Sequence, residues 1–204
     1  SRAQHERVLA AGCSLIDLSA ALPLSQAPCV LPEAGLDGLP ARHAPWLLSS
    51  PTPCAVATAL VLTALRPLLQ PRQVQLTAML AASTLGRSGV QELARQTAEL
   101  LNGRPLEPKG LDRQVAFNLL AQVGALDEQG HAELENRLAS ELQQLLGVPD
   151  LPVSATCALA PVFFGDSLAL GVQVDGEVDV AAVSRLLEAA PGIELVEAGD
   201  YPTA

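Results

Sequence analysis

Apolar positions recur at helical spacing in several stretches of the chain. In Val90–Leu101, Leu93, Thr97, Leu100 and Leu101 fall on one face and Glu92, Arg95 and Glu99 on the other, with Gly103 as a stop. From His131 to Leu146 a stripe of Leu134, Leu138, Leu142, Leu145 and Leu146 predicts a second amphipathic helix whose apolar face belongs to a core or an interface. Asp179 is an N-cap candidate for a helix running to Ala190. A further helix starts at Cys54, where an alanine- and leucine-rich run without a breaker continues to Leu65. A short polar helix is expected over Ser1–Ala11, stopped at Gly12.

Between these lie short, mostly apolar runs that read as strands: Cys13–Ser19, Trp46–Ser50, Gln73–Ala82, Ala116–Val123, Val153–Ala160, Ser167–Val174 and Gly192–Val196, with an extended piece at Cys29–Leu31. Ala20–Pro45 is rich in Pro, Gly and Ala and reads as loop, and Ser83–Gly89 reads as a turn. The first third of the chain thus has an α/β order. The remainder is α+β, a mixed or antiparallel sheet with helices on one face. The expected boundary lies near Gln70, giving segments 1–70 and 71–204.

Composition narrows the function classes. The 204 residues are 49% hydrophobic and 17% charged, enough apolar content for a real core. A net charge of −10, with no basic run, argues against nucleic acid and anionic membrane surfaces as partners. The apolar stretches are too short to span a bilayer, and the opening Ser-Arg-Ala-Gln-His-Glu-Arg has no signal-peptide core behind it. Cys13, Cys29, Cys54 and Cys157 are widely and irregularly spaced, and His5, His43 and His131 stand at ligand spacing from none of them. The expectation is no metal, free thiols and a cytoplasmic location.

The stretch with chemical content is Ser49–Pro67. Two prolines and a threonine break the chain just before Cys54, which places the thiol in the first turn of a helix. Unpaired backbone N–H groups and the helix dipole favour an anion there, which is a route to a nucleophilic thiolate. The competing reading is a buried free cysteine that is merely a small apolar residue. Asp17 and Ser19 end a strand, where open α/β sheets place ligands, or simply begin a turn. The glycines of Ser83–Gly89 can cradle a phosphate, though most such turns only turn.

Taken in order, Ile16-Asp-Leu-Ser19, Pro53-Cys54, Gly86-x-x-Gly89-Val-x-Glu92-Leu-Ala-x-Gln-Thr97, Leu101-Asn-Gly103, Ala116-Phe-Asn-Leu119, Val153-Ser-Ala-Thr-Cys157, Pro161-Val-Phe163 and Tyr201-Pro-Thr203 resemble the aspartate-semialdehyde dehydrogenase family, in particular its Usg-type homologues. The resemblance covers nearly the whole chain, as the middle of such a protein, with the family's Gly-rich nucleotide fingerprint and its closing helix lying outside it. It implies the end of a Rossmann domain that binds NADP, joined to a larger mixed-sheet domain for catalysis and homodimerisation.

Family chemistry uses a cysteine nucleophile, a histidine acid/base, a glutamine that positions substrate, and arginines that grip carboxylate and phosphate. Motif by motif, the nucleophile falls at Cys54. The histidine position holds Asp166 and the glutamine position holds Leu80. The carboxylate arginine is replaced by Leu159 and the phosphate arginine by Pro23, while Arg137 stands where the acidic-helix motif usually has lysine. Ser83 and Gly86 are the candidate cofactor contacts.

Aspartyl phosphate brings a carboxylate and a phosphate, for which guanidinium forks are the usual partners. Leu159 and Pro23 supply neither charge nor donor. The expectation is a family member impaired in normal turnover that retains fold and dimer surface. The alternatives are an active cysteine oxidoreductase for a less charged acyl or aldehyde substrate, with Leu80 and Leu159 lining an apolar pocket, and a regulatory partner of an active paralogue.

Overall fold

In a computed structural model the described residues are 4–35, 45–107, 111, 113–196 and 199–202. They form ten regular elements: α1 (His5–Ala10), β1 (Leu15–Asp17), β2 (Leu47–Ser49), α2 (Pro53–Leu65), β3 (Gln73–Leu80), α3 (Gly86–Leu101), α4 (Glu133–Leu146), β4 (Val153–Leu159), β5 (Ser167–Gln173) and α5 (Val180–Glu188). The chain divides into two compact units. The first comprises residues 1–74, 137–153 and 172–199, and the second 75–136, 154–171 and 200–204.

In the first unit β1 and β2 pair in parallel, with Leu15 opposite Leu47, Ile16 opposite Leu48 and Asp17 opposite Ser49. α2 follows β2 across three residues. Thr52 holds extended dihedrals (φ −65°, ψ 150°) and Pro53 takes the first helical position, where its missing N–H leaves no donor unsatisfied. The alanines let α2 pack closely: Ala55 and Ala59 are fully buried, beside Thr58, Leu62 and Leu65. Leu138, Leu142, Leu145 and Leu146 of α4 complete the core, as their spacing predicts. The α5 start is capped as expected, Asp179 accepting from the N–H groups of Ala181 and Ala182 at 2.9 and 3.2 Å.

Most of the three-stranded sheet belongs to the second unit, in the order β4-β3-β5. β3 alternates strictly. Val74, Leu76, Ala78 and Leu80 are buried, and Gln75, Thr77 and Met79 are exposed. That period-two pattern is the signature of a strand with one covered face.

Four sequence expectations change. Ser83–Gly89 is not a turn: Ala82–Leu85 is a 3-10 helix and α3 begins at Gly86. The helix carries Glu92 on its buried side, 6% exposed, while Leu101 is 74% exposed. Ala116–Val123 forms no strand. The N–H groups of Val115 and Ala116 both go to the Gln96 side chain, Phe117 sits at φ +58°, and a single bridge joins Leu120 to Leu159. Gly192–Val196 is also irregular, because Gly192 adopts φ +79° and Ile193 closes a turn onto Ala190.

Close packing of the 3-10 helix on α3 requires Gly89. An added Cβ would overlap the Ala82 carbonyl oxygen and lie 2.6 Å from Leu85 Cβ. Gly89→Ala is expected to lower stability by about 2 kcal/mol despite alanine's better helix propensity. Denaturant unfolding checks this, with exposed Arg87→Ala as the control.

Candidate functional site

The sequence-predicted residues gather into two groups, one in each unit. In the first unit Cys54 is the second residue of α2 and only 4% exposed. The helix start before it is not held by the N-cap side chain, since Thr52 makes no cap bond of its own. The Glu141 carboxylate of α4 instead holds the N-cap residue itself. Its Oε2 accepts from the Thr52 N–H at 2.9 Å and from the Thr52 hydroxyl at 2.7 Å.

Arg137, one turn earlier on α4, donates from Nε to Glu141 Oε1 at 2.7 Å. Its Nη1 donates to the carbonyls of Ala20 and Leu22 at 2.9 and 3.1 Å, and Nη2 to the Ser49 hydroxyl at 3.0 Å. The guanidinium therefore joins the loop leading into Pro23, the end of β2 and the start of α2. Four of its five N–H donors have acceptors inside the protein. Pro23 itself lines a small cavity of about 330 Å³ with His5, Leu22 and Gln26.

Asp17 ends β1 beside this cluster and is 2% exposed. Burial opposes its ionisation. The hydroxyl and N–H of Ser19, at 2.5 and 2.9 Å, together with the N–H groups of Leu22 and Ala21, outweigh burial and lower the pKa from 3.8 to about 2. Cys29, which reaches the Glu141 carbonyl at 3.8 Å, is pushed up to about 12, by burial first and by the Glu141 carboxylate second. That thiol is no nucleophile at neutral pH.

In the second unit Leu80, Leu159, Asp166, Ser83 and Gly86 converge where β3 and β4 end. The Leu80 carbonyl accepts from Ala160 N–H at 2.8 Å, and the N–H groups of Ala82 and Ser83 reach the carbonyls of Val162 and Phe163 at 2.8 and 3.1 Å. Asp166 Oδ1 accepts the Ala81 N–H at 2.8 Å and lies 3.4 Å from the Thr84 hydroxyl, so this carboxylate secures the turn after β3. Leu80 and Leu159 are 1% and 3% exposed.

Leu159 also lines a cavity of about 280 Å³ with Leu85, Leu111, Leu120, Val123 and Arg113. Cys157, two residues earlier on β4, has its thiol pushed up to about 11 by burial and then by Glu135 and Asp166. Gly86 sits at φ +74° with no atom within 4 Å of where a Cβ would be. The backbone there is open to close approach.

Sequence reasoning passed over Glu141, Gln96 and Glu92. Gln96 is 3% exposed; its Oε1 accepts from Val115 and Ala116 N–H at 2.7 and 3.1 Å, and its Nε2 donates to Glu92 at 2.9 Å and to the Arg113 carbonyl at 3.1 Å. The signal available for Glu141 was its i,i+4 spacing from Arg137. Among the described residues no group of His, Cys, Asp and Glu could hold a metal ion, and no helix is long and apolar enough to cross a membrane.

A mixed α/β chain with a cysteine at a helix start after a parallel strand pair defines a class of proteins that the comparisons with known proteins narrow. Residues 62–204 match the semialdehyde dehydrogenase dimerisation domain, and the chain belongs to that family. It is 58% identical over 205 residues to the USG-1 protein homolog of Pseudomonas aeruginosa, covering all of this chain and 60% of that protein. The chain thus spans about 60% of the length of this curated relative.

Two solved structures superpose over the whole chain and 61% of their own length. A probable aspartate-semialdehyde dehydrogenase from Pseudomonas aeruginosa does so at 57% identity and a TM-score of 0.92. Aspartate semialdehyde dehydrogenase II from Vibrio cholerae, solved as a complex with ASA, does so at 28% identity and 0.87.

The Asp17 geometry predicts an acid-side effect. A carboxyl whose pKa is lowered on folding contributes stability above its unfolded value near 3.8, and this is lost as pH falls through about 2. Asp17→Asn is expected to lower the thermal midpoint at pH 7 and to flatten its fall between about pH 5 and pH 2. Thermal unfolding across that range checks both.

Proposed function

We propose that this chain is part of an aspartate-semialdehyde dehydrogenase-like protein impaired in the NADP- and phosphate-dependent interconversion of aspartyl phosphate and aspartate semialdehyde, and that it keeps the family's fold and homodimer surface. In this reading residues 1–70 belong to the nucleotide side and 71–204 to the catalytic and dimerisation side, in a cytoplasmic protein. The observation that carries the reading is the chemistry of the substituted positions. Leu80 and Leu159 are buried hydrocarbon, Asp166 is bonded to the chain after β3, and the Arg137 guanidinium is bonded to internal acceptors.

A dianionic acyl phosphate then meets no free guanidinium fork at the family's positions. Losing a buried charge-assisted contact costs roughly 2–5 kcal/mol, and two are replaced. NADP, when bound, supplies the hydride acceptor or donor of the family reaction, and Ser83 and Gly86 are the residues of this chain that would hold it.

One observation favours a second reading, an active thiol oxidoreductase for a small, less charged acyl or aldehyde substrate. Leu159 faces a cavity lined chiefly by aliphatic side chains.

The deciding measurement is phosphate-dependent NADP reduction with aspartate semialdehyde by the full-length protein. The expected rate is at least about a thousandfold below that of an active family member. Comparable turnover overturns the impairment reading. Thiol-dependent reduction of NADP with short aliphatic aldehydes, lost in Cys54→Ser, would establish the second reading in its place.

A further inference from the structure

We infer that Glu141 is a positioning residue for Cys54: its carboxylate occupies the N-terminus of α2 from outside the helix, fixing the backbone that carries the thiol and competing with a Cys54 thiolate for the same helix end. The inference rests on reading Cys54 as the thiol at the family's reactive position, and not on whether the protein turns over any substrate.

A helix start offers unpaired N–H groups and a partial positive charge, and a carboxylate is one of the groups that satisfies both. Here that group comes from α4, and its side chain is 0% exposed. Both bonds it makes to α2 end on Thr52, two residues before Cys54, at 2.9 and 2.7 Å. The Thr52 hydroxyl is thereby turned away from capping its own helix.

The charges around Glu141 set the sign. Arg137 on the same helix neutralises the carboxylate through a 2.7 Å bond, Cys29 packs against the Glu141 carbonyl, and Asp17 lies at the adjacent end of β1. Replacing Glu141 with Gln keeps the size and one acceptor but removes the anion. It leaves the Arg137 cation uncompensated close to the start of α2. Both changes favour a thiolate at Cys54.

The test follows alkylation of Cys54 by iodoacetamide against pH in the full-length protein, in a Cys13→Ser background, by mass mapping of the Cys54 peptide. In Glu141→Gln the midpoint of the rate profile is expected to fall by about one pH unit relative to the parent, with a rate near pH 7 raised about tenfold. In Arg137→Gln/Glu141→Gln, which removes both charges, the midpoint should lie between the two. Should the single variant not fold, the double variant alone must still show a midpoint below the parent's.

Amide exchange at Thr52 should accelerate at least about tenfold in both variants. Rates that rise by the same factor at every pH, with an unmoved midpoint, would reduce Glu141 to a purely structural bond and overturn the inference, as would unchanged Thr52 exchange. None of these readouts depends on aspartate semialdehyde turnover, so they stand apart from the outcome of the functional assay.

Discussion

The carboxylate of Glu141 is the constraint on which the first unit depends. It is fully buried, and a buried charge is tolerated only when its partners replace what water supplied. Glu141 receives three hydrogen bonds, two from Thr52 and one from Arg137. Arg137 in turn distributes its remaining donors to Ala20, Leu22 and Ser49. One ion pair on α4 therefore fixes the loop after β1, the end of β2 and the N-cap of the cysteine helix. Breaking such a pair from one side typically costs 3–5 kcal/mol, because the other charge is left buried and uncompensated.

The second unit solves a related problem with a neutral group. Residues 113–116 have no ladder of their own, yet their backbone groups must be paired once buried. Gln96 offers an acceptor to two consecutive N–H groups and a donor to a carbonyl, and Glu92 fixes the orientation of its amide. Arg95, bonded to both Glu92 and Glu99 on α3, also reaches the Glu107 carbonyl at 2.9 Å. Irregular chain is thus held by side chains of a regular helix. This is why an apolar run such as Ala116–Val123 can leave Phe117 and Leu119 63% and 57% exposed.

These same side chains mark the limit of what the sequence could tell. The stripe of α4, the strand that begins at Gln73, the Asp179 cap and the proline start of α2 depend on neighbours within a few residues, and each was legible. Gln96 and Glu141 were not, because a polar side chain among polar residues on an amphipathic helix reads as solvent-facing. What buries them is a partner far along the chain: Thr52 lies 89 residues from Glu141, and Val115 lies 19 from Gln96. The Ala116–Val123 run failed for the complementary reason, since its composition suits a strand while the Ala116 and Asn118 donors are already claimed by Gln96 and Val115. Of the site, the place of Cys54 in the first turn was readable from Pro-Thr-Pro. The group that completes that turn was not.

The commitments of Arg137 connect this packing to function. An anion clamp needs a cation whose donors point outward with an incomplete shell, so that ligand oxygens finish it. A lysine is a single flexible point charge and can turn from an internal partner to a ligand. A planar guanidinium held at Nε, Nη1 and Nη2 by four internal acceptors can turn only by giving up several bonds together. Arginine at this position thus favours holding the cysteine turn. The geometry commits this guanidinium to keeping the turn in place.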